Sequence, residues 1–333
     1  VGVVDVDTVR RAVRRQQRRV TPGIEDMVGY HRRQVAGQSE AEPIGPLLPG
    51  TGASGVVFHR GEPLAGWGAI HEPEMCYSLT KSVLSLVAGL AYDRGLIGDV
   101  HAPVELPVVG RRHGEVTWHH LLQQTSGWDG VLWGKPSSVD GANIEEAAPG
   151  SAWCYNDVRV NLLALALTLL WRRSLADVVK VELFDRIGVS RTWSWHGYDN
   201  SFVEVDGRDI AVVSGGAHWG GGLWASAADL ARLGVLLCER GRWHGDQILS
   251  DQWIRMSWAP GSVNPDYGYL WWLNRRRNVF PAAPATGVCA RGNQSRHVLW
   301  IDRARELVIV SHWGEHVEAL IGEISAAVPV VRR

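Results

Sequence analysis

Ser78 and Lys81 are the two side chains in this sequence whose types and spacing most directly allow covalent chemistry. They open Ser78-Leu-Thr-Lys81, the start of SLTKSVLSLVAGLAYDRGL, in which apolar residues recur at three- and four-residue steps and Gly95 supplies a stop. That pattern predicts a helix. Residues three apart on a helix share a face, so the hydroxyl and the amine can meet. A serine hydroxyl is a poor nucleophile until a base takes its proton. Lysine serves as that base once desolvation or a neighbouring cation lowers its pKa from about 10.4 to roughly 7–8. Val83, Leu84, Leu86 and Val87 provide an apolar wall for this purpose. The helix N-terminus adds a dipole and free N–H groups that favour negative charge developing at the serine. Ser-x-x-Lys by itself is a weak motif, but no other serine or lysine here has a comparable context, and the GxSxG elbow is absent.

Other patterns read mostly as structure. Gly50-Thr-Gly52-Ala-Ser-Gly55 fits GxGxxG, yet a proline-rich coil precedes it and a strand-like VVFHRG follows. A dinucleotide site needs the opposite order, strand then helix, so this is a turn. Cys76, Cys154 and Cys289 lie near the candidate site segments and read as small buried hydrophobes. The four cysteines show neither CxxC nor zinc-like spacing, and His119-His120 has no acidic or cysteine partners at metal spacing, so no metal or cofactor is expected. His218-Trp219, ahead of Gly220-Gly221-Gly222, is a candidate cleft wall, because a glycine-rich loop carrying an aromatic often borders a site. Trp128, Trp133, Trp271 and Trp272 are further pocket candidates among 17 tryptophans, and Arg275-Arg276-Arg277 reads as a solvated basic turn.

The elements that must position these groups can be read from periodicity. Apolar and basic residues alternate at helical spacing over 6–19 and 25–33, with the arginines of the first stretch on a solvated face. ASGVVFHRG and PLAGWGAI read as a hairpin joined by Gly61 and Pro63. The middle of the chain, to about residue 215, reads as mostly helix and loop, with DVRVNLLALALTLLWRR its longest apolar helix. ATGVCARG, SRHVLWID and ELVIVSHW read as three successive strands, and a helix runs from about 315 to 328. Strands at both chain ends with helices between predict an α+β fold: one antiparallel sheet built from both termini, flanked by helices, with a mostly helical insertion. The expected division is a sheet domain from 1–75 with 220–333, a mostly helical domain over 76–219, and a site in the cleft between them. A formal net charge of −1 gives no reason to propose nucleic acid or an acidic membrane as partner. No apolar run approaches the roughly 20 residues of a membrane span. With no signal-peptide pattern at its start, the chain is expected to be cytoplasmic.

YSLTKSVLSLVAGLAYDRGLI, then VTWHHLLQQTSGW and PGSAWCYND, resemble the class C β-lactamase and penicillin-binding-protein-like superfamily of serine hydrolases. HWGGGLWASAADLARLGVLL, YGYLWW and ARGNQSRHVLWIDRARELVIV are similar to its later segments, so the likeness runs in order over about residues 55–315. By position, the resemblance implies Ser78 as nucleophile, Lys81 as its activator and Tyr155 as the phenol that passes a proton to the leaving group. Asp157 stands where the family's Tyr-x-Asn motif has asparagine, and a carboxylate near Lys81 would hold its charged form. The third motif, usually Lys-Thr-Gly or His-x-Gly, is Ala290-Arg291-Gly292 here. The oxyanion hole implied is the Ser78 N–H with the N–H that comes after Gly292, that of Asn293. The missing lysine or histidine argues against β-lactams as physiological substrates, unless Arg291 points inward.

Together these residues lead to an expectation of covalent acyl transfer on a small-molecule ester or amide, in catabolism or natural-product tailoring. Water, an amine or an alcohol would release the acyl group from Ser78, so hydrolase and transacylase readings both stand. Asp157, His218, Trp219, Arg291, Gly292 and Asn293 are the candidate substrate-side residues. The competing reading is a ligand-binding protein on the same fold, its chemistry blunted by Asp157 and the altered third motif.

Overall fold

Asp5 starts the first helix by accepting a hydrogen bond from the Thr8 N–H at 3.0 Å. In α1 (Val6–Gln16), Val9, Ala12, Val13 and Gln16 turn inward while Arg10, Arg11, Arg14 and Arg15 face solvent, so the arginine run is a solvated helix face. The structure, a computed structural model, describes residues 2–37, 42–106, 108, 116–139 and 147–331. Asp26 caps α2 (Met27–Gln34) in the same way, accepting from the Gly29 N–H. β1 (Ser54–His59) and β2 (Glu62–Trp67) pair through a turn at Arg60 and Gly61, both in the left-handed region that two-residue hairpins need. Pro63 sits inside β2 rather than in the turn. β2 is an edge strand, where a missing N–H breaks no ladder bond. A strand therefore starts at Ser54, inside Gly50-Thr-Gly52-Ala-Ser-Gly55, and runs on past it, as the turn reading requires.

After β3 (Glu74–Met75) and a 3₁₀ turn at Tyr77–Leu79 comes α3 (Thr80–Asp93), buried continuously from Thr80 to Ala91. A helix that is apolar all round must lie in the core, and Gly95, at φ 70°, closes it. The next described elements are α4 (Trp118–Leu122), a small hairpin of β4 (Val131–Leu132) and β5 (Lys135–Pro136), α5 (Asp157–Trp171) and α6 (Leu175–Val179). Asn156 caps α5 by accepting from the Arg159 N–H at 2.9 Å. α5 is buried from Asp157 to Thr168. Leu163, with no exposed surface, packs in the cluster it shares with α3. Leu163→Ala is expected to destabilise the protein by about 2–5 kcal/mol, the usual cost of a large-to-small change in a packed core. Denaturant titration of both proteins checks this through the unfolding midpoint.

Within the stretch read as mostly helix and loop, the structure adds a long hairpin, β6 (Ser194–Val205) and β7 (Arg208–Val213), which turns at Asp206 and Gly207. With β8 (Gly222–Ala225) and β3 it makes a four-stranded sheet in the order β3-β8-β6-β7. Next come α7 (Ala227–Cys238), a hairpin of β9 (Arg242–Trp243) and β10 (Asp246–Gln247), and α8 (Asp251–Ser257). The chain ends with β11 (Trp272–Leu273), β12 (Val288–Gly292), β13 (His297–Asp302), β14 (Leu307–His312) and α9 (Val317–Ala327). The larger sheet runs β11-β12-β13-β14-β1-β2, antiparallel throughout, with β1 from the N-terminal part paired to β14 from Ser54↔His312 to His59↔Leu307. β13 and β14 are buried along their whole length because both faces are covered. Val56, Leu299 and Val310 face the core of α3, α5 and α7, while Val57, Val298 and Ile309 face α1 and α9. The fold is thus α+β, an antiparallel sheet from N- and C-terminal strands flanked by helices.

Among the described residues no helix is long and apolar enough to cross a membrane, and no cluster of His, Cys, Asp and Glu could hold a metal ion. Cys76, Cys154, Cys238 and Cys289 are buried free thiols. Burial pushes the Cys289 thiol up to about 12 and holds it as the neutral form, so it packs as a hydrophobe.

Candidate active site

The turn at Tyr77–Leu79 delivers Ser78 to the start of α3, and one helical turn later Lys81 points back at it. The Lys81 Nζ donates to Ser78 Oγ at 2.8 Å. Tyr77, just before the serine, has φ 51°. A bulky residue in the left-handed region costs on the order of 1–2 kcal/mol, and its ring contacts offset that strain. The ring stacks on His297 at 5.3 Å and meets Trp313 edge-on at 5.7 Å, while its hydroxyl donates to Met27 Sδ at 3.3 Å.

Lys81 is almost wholly buried, and its second partner is the Asp157 carboxylate at the first turn of α5, through Oδ1. The other carboxylate oxygen, Oδ2, lies 3.7 Å from His218 Nδ1. Gly216 closes over this ion pair. A Cβ there would lie 2.6 Å from Asp157 Oδ1 and 2.9 Å from Lys81 Nζ, so no larger residue fits without moving the pair. The carboxylate favours the ammonium form of Lys81. This is the electrostatic consequence that asparagine at position 157 would not have.

Tyr155 is half-buried, with Lys81 Nζ 4.8 Å from its ring centre. Burial raises the pKa of its phenol, with Lys81 and a hydrogen bond with Ser78 acting in the opposite direction, so the hydroxyl is protonated at neutral pH. Trp153, Tyr267 and Trp272 surround it, at ring-centre distances of 6.2, 6.2 and 5.6 Å. Tyr267 is itself fixed by a 2.9 Å bond from Gln124 Nε2, and Gln124 Oε1 accepts from the Asn156 N–H at 2.6 Å.

The end of β12 forms the opposite wall. A Cβ on Gly292 would lie 2.4 Å from Cys76 O and 2.9 Å from Ser78 N, so only glycine lets this strand approach the nucleophile's backbone. Asn293, Gln294 and Ser295 come next, all at positive φ. Asn293 Nδ2 donates to Tyr30 Oη at 2.7 Å, and Asn293 Oδ1 accepts from Gln34 Nε2, so α2 holds this turn in place. The Arg291 guanidinium lies 3.8 Å above the Trp272 ring centre, a cation–π contact that brings the charge to the cleft.

Ser78 therefore stands between two spaces. One is a cleft of about 480 Å³ bordered by Tyr155, Trp272, Arg291 and the 292–295 turn. The other is a recess of about 270 Å³ bordered by Asp157, His218, Tyr155 and Gln34. A larger apolar groove of about 860 Å³ between β2 and α7 holds none of these groups. Of the residues singled out in the sequence, Ser78, Lys81, Tyr155, Asp157, His218, Arg291, Gly292 and Asn293 meet here.

Trp219 does not line either space. It is fully buried behind His218, its ring 4.3 Å from the imidazole and edge-on to it, so His218 is the side chain this loop presents. Trp128 and Trp271 are core residues, whereas Trp272 reaches the cleft. His119 bonds to Tyr269 Oη at 2.7 Å, a structural contact. Sequence reasoning misses Trp153 and Tyr267, although they lie within the matching segments PGSAWCYND and YGYLWW, and also Tyr30 and Gln34. The last two sit on a helix outside the resembling stretch, where no motif marks them.

Residues 49–313 match the family model described as Beta-lactamase. Among solved structures, the chain is similar to a D-alanine carboxypeptidase from Burkholderia cenocepacia at 16% identity, over 97% of this chain and 100% of that one, with a TM-score of 0.59. It is similar to a β-lactamase from Mycobacterium bovis at 18% identity, over 83% and 93% of the two chains, with a TM-score of 0.57. A penicillin-binding protein homologue from Caulobacter crescentus matches at 16% identity over 93% and 99%, with a TM-score of 0.58.

Proposed function

The chain belongs to the β-lactamase family, and from that premise we propose that it is a serine acyl-enzyme hydrolase or acyltransferase acting on a small-molecule ester or amide. The observation that carries the reading is the 2.8 Å contact between Lys81 Nζ and Ser78 Oγ at the floor of an open cleft. Ser78 Oγ attacks the carbonyl carbon while the neutral form of Lys81 takes its proton. The oxyanion forms against the Ser78 N–H and the N–H that comes after Gly292, donors that need no particular side chain. Tyr155, held as a neutral phenol, gives its proton to the leaving group and recovers one from Lys81. Water, an amine or an alcohol then takes the acyl group.

Trp272 and Arg291 support a substrate with a flat or apolar body and an anionic group. β-Lactams fit less well. The first position of the third motif is Ala290, fully buried, so Arg291 alone is at hand for a carboxylate. A ligand-binding role is the second reading, favoured by the Asp157 ion pair that occupies Lys81.

Intact-protein mass after exposure to activated esters and a fluorophosphonate separates the two readings. One covalent adduct, mapped to the Ser78 peptide, supports the enzyme; no adduct on a folded protein supports the binder. Added amines or alcohols then distinguish transfer from hydrolysis by the product formed.

A further inference from the structure

We propose that His218, backed by Asp157, is the general base of the second half-reaction, activating the water or acceptor that releases the acyl group from Ser78. The inference rests on the proposed acyl-enzyme and assigns the step that this chemistry leaves without a base. Lys81 hands the serine proton on to Tyr155 during acylation, but its contact with Asp157 favours the ammonium form, so it takes up a solvent proton and enters the second half-reaction as a cation. A cation cannot accept a further proton from an incoming water.

The geometry gives His218 the right place. Ser78 borders both spaces, but Trp272 and Arg291 border only the cleft, and Asp157 and His218 only the recess. An acyl group lying in the cleft leaves the recess on the other side of the ester carbon. At about 270 Å³ the recess has room for several waters, each taking roughly 30 Å³. The His218 side chain is 18% exposed, so it opens onto this space rather than being sealed in the core.

The imidazole is also held in position. Its loop is pinned by bonds from the Ile44 and Gly45 N–H groups to Trp219 O, at 2.9 and 3.0 Å, and from the Gly221 N–H to Pro46 O at 2.8 Å. Trp219 packs edge-on against the ring. Asp157, Lys81, His31 and Lys135 are among the charged or titratable groups that act on it. Burial lowers its pKa most, with Asp157 opposing, so the ring is neutral and basic at pH 7. At 3.7 Å, Asp157 Oδ2 is beyond hydrogen-bond length from Nδ1 but within ion-pair range. That contact strengthens when the imidazole becomes charged, which is when a general base needs it.

Atoms and protons balance across the step. The water oxygen bonds to the acyl carbon as His218 takes one of its protons. The bond from carbon to Ser78 Oγ breaks as Lys81 protonates that oxygen, and the acyl group leaves as a carboxylic acid. The imidazolium proton then returns to Lys81 through Asp157, whose two oxygens face the two donors, and Lys81 releases its solvent-derived proton before the next acylation.

The test compares wild type, His218→Gln and His218→Ala with p-nitrophenyl acetate, tracking the p-nitrophenol burst and, by intact mass after removal of excess ester, the loss of acetyl from Ser78. The burst is expected in all three. Deacylation in both variants should fall by about 10²-fold or more, the usual contribution of a positioned base. The acid limb of the wild-type deacylation profile should disappear in His218→Gln, and added imidazole should restore turnover to His218→Ala. Acetyl loss at the wild-type rate and pH dependence in His218→Gln would overturn the inference alone. No adduct on Ser78 in the wild type would overturn the acyl-enzyme reading and this inference with it.

Discussion

Ser78→Ala is expected to lower kcat/KM toward activated esters by roughly 10⁴–10⁶-fold, the loss seen when a nucleophile that works with its base is removed. The substitution deletes one hydroxyl that lines an open cleft and accepts from Lys81. Lys81 keeps its ion pair with Asp157, so no buried charge is left without a counter-charge. Stability should therefore change by no more than about 0.5 kcal/mol, and ligand binding in the cleft should persist. Steady-state kinetics beside a thermal melt separates loss of chemistry from loss of fold. Turnover close to wild type in this variant would show that Ser78 is not the nucleophile, whatever its distance to Lys81.

The relation of Ser78 to Lys81 is legible in the sequence because it depends only on helical period, and three residues on a helix is a geometric statement. The same holds for α3 and α5, whose unbroken apolar content demands burial on every side, and for the strands at the two chain ends. The β6–β7 hairpin carries its own signal. Asp206-Gly207 lies between Val203-Glu204-Val205 and Arg208-Asp209-Ile210, an alternating pattern around a two-residue turn. The apolar helices nearby outweigh it. Arg291 shows where periodicity stops. Alternation sets it on the face of Cys289 and opposite Ala290, away from α3. Its long side chain nonetheless reaches the cleft by lying on Trp272 of the edge strand β11. His218 and Trp219 are neighbours that spacing cannot rank, and the fold buries one behind the other. Tyr30 and Gln34 bond to Asn293 from more than 250 positions away in sequence, a contact that only the packed tertiary structure creates.

Asp157→Asn should push the two half-reactions in opposite directions, which makes it the sharpest test of why this chain carries aspartate there. Acylation needs Lys81 neutral. In the protein as it stands, a buried carboxylate in contact with Nζ favours the charged form, so the rate of acylation should rise with pH well into the alkaline range. Asparagine is nearly the same size and can still accept from Lys81 through its amide oxygen, but it brings no charge. The ammonium then loses its partner while burial still disfavours it. The acid limb of the acylation profile should move to lower pH, because the opposite charge in contact with Nζ is gone. Below that limb the gain is about tenfold per unit. Deacylation should slow, because His218 loses the anion that steadies its charged form and the carboxylate that returns its proton to Lys81. The acyl-enzyme should therefore accumulate faster and persist longer than in wild type. Pre-steady-state bursts across pH, read beside intact-mass decay of the adduct, measure the two rates separately. Unchanged acylation and deacylation profiles would make Asp157 a bystander to both. A shifted acylation limb with unaltered deacylation would keep its influence on Lys81 and remove its link to His218.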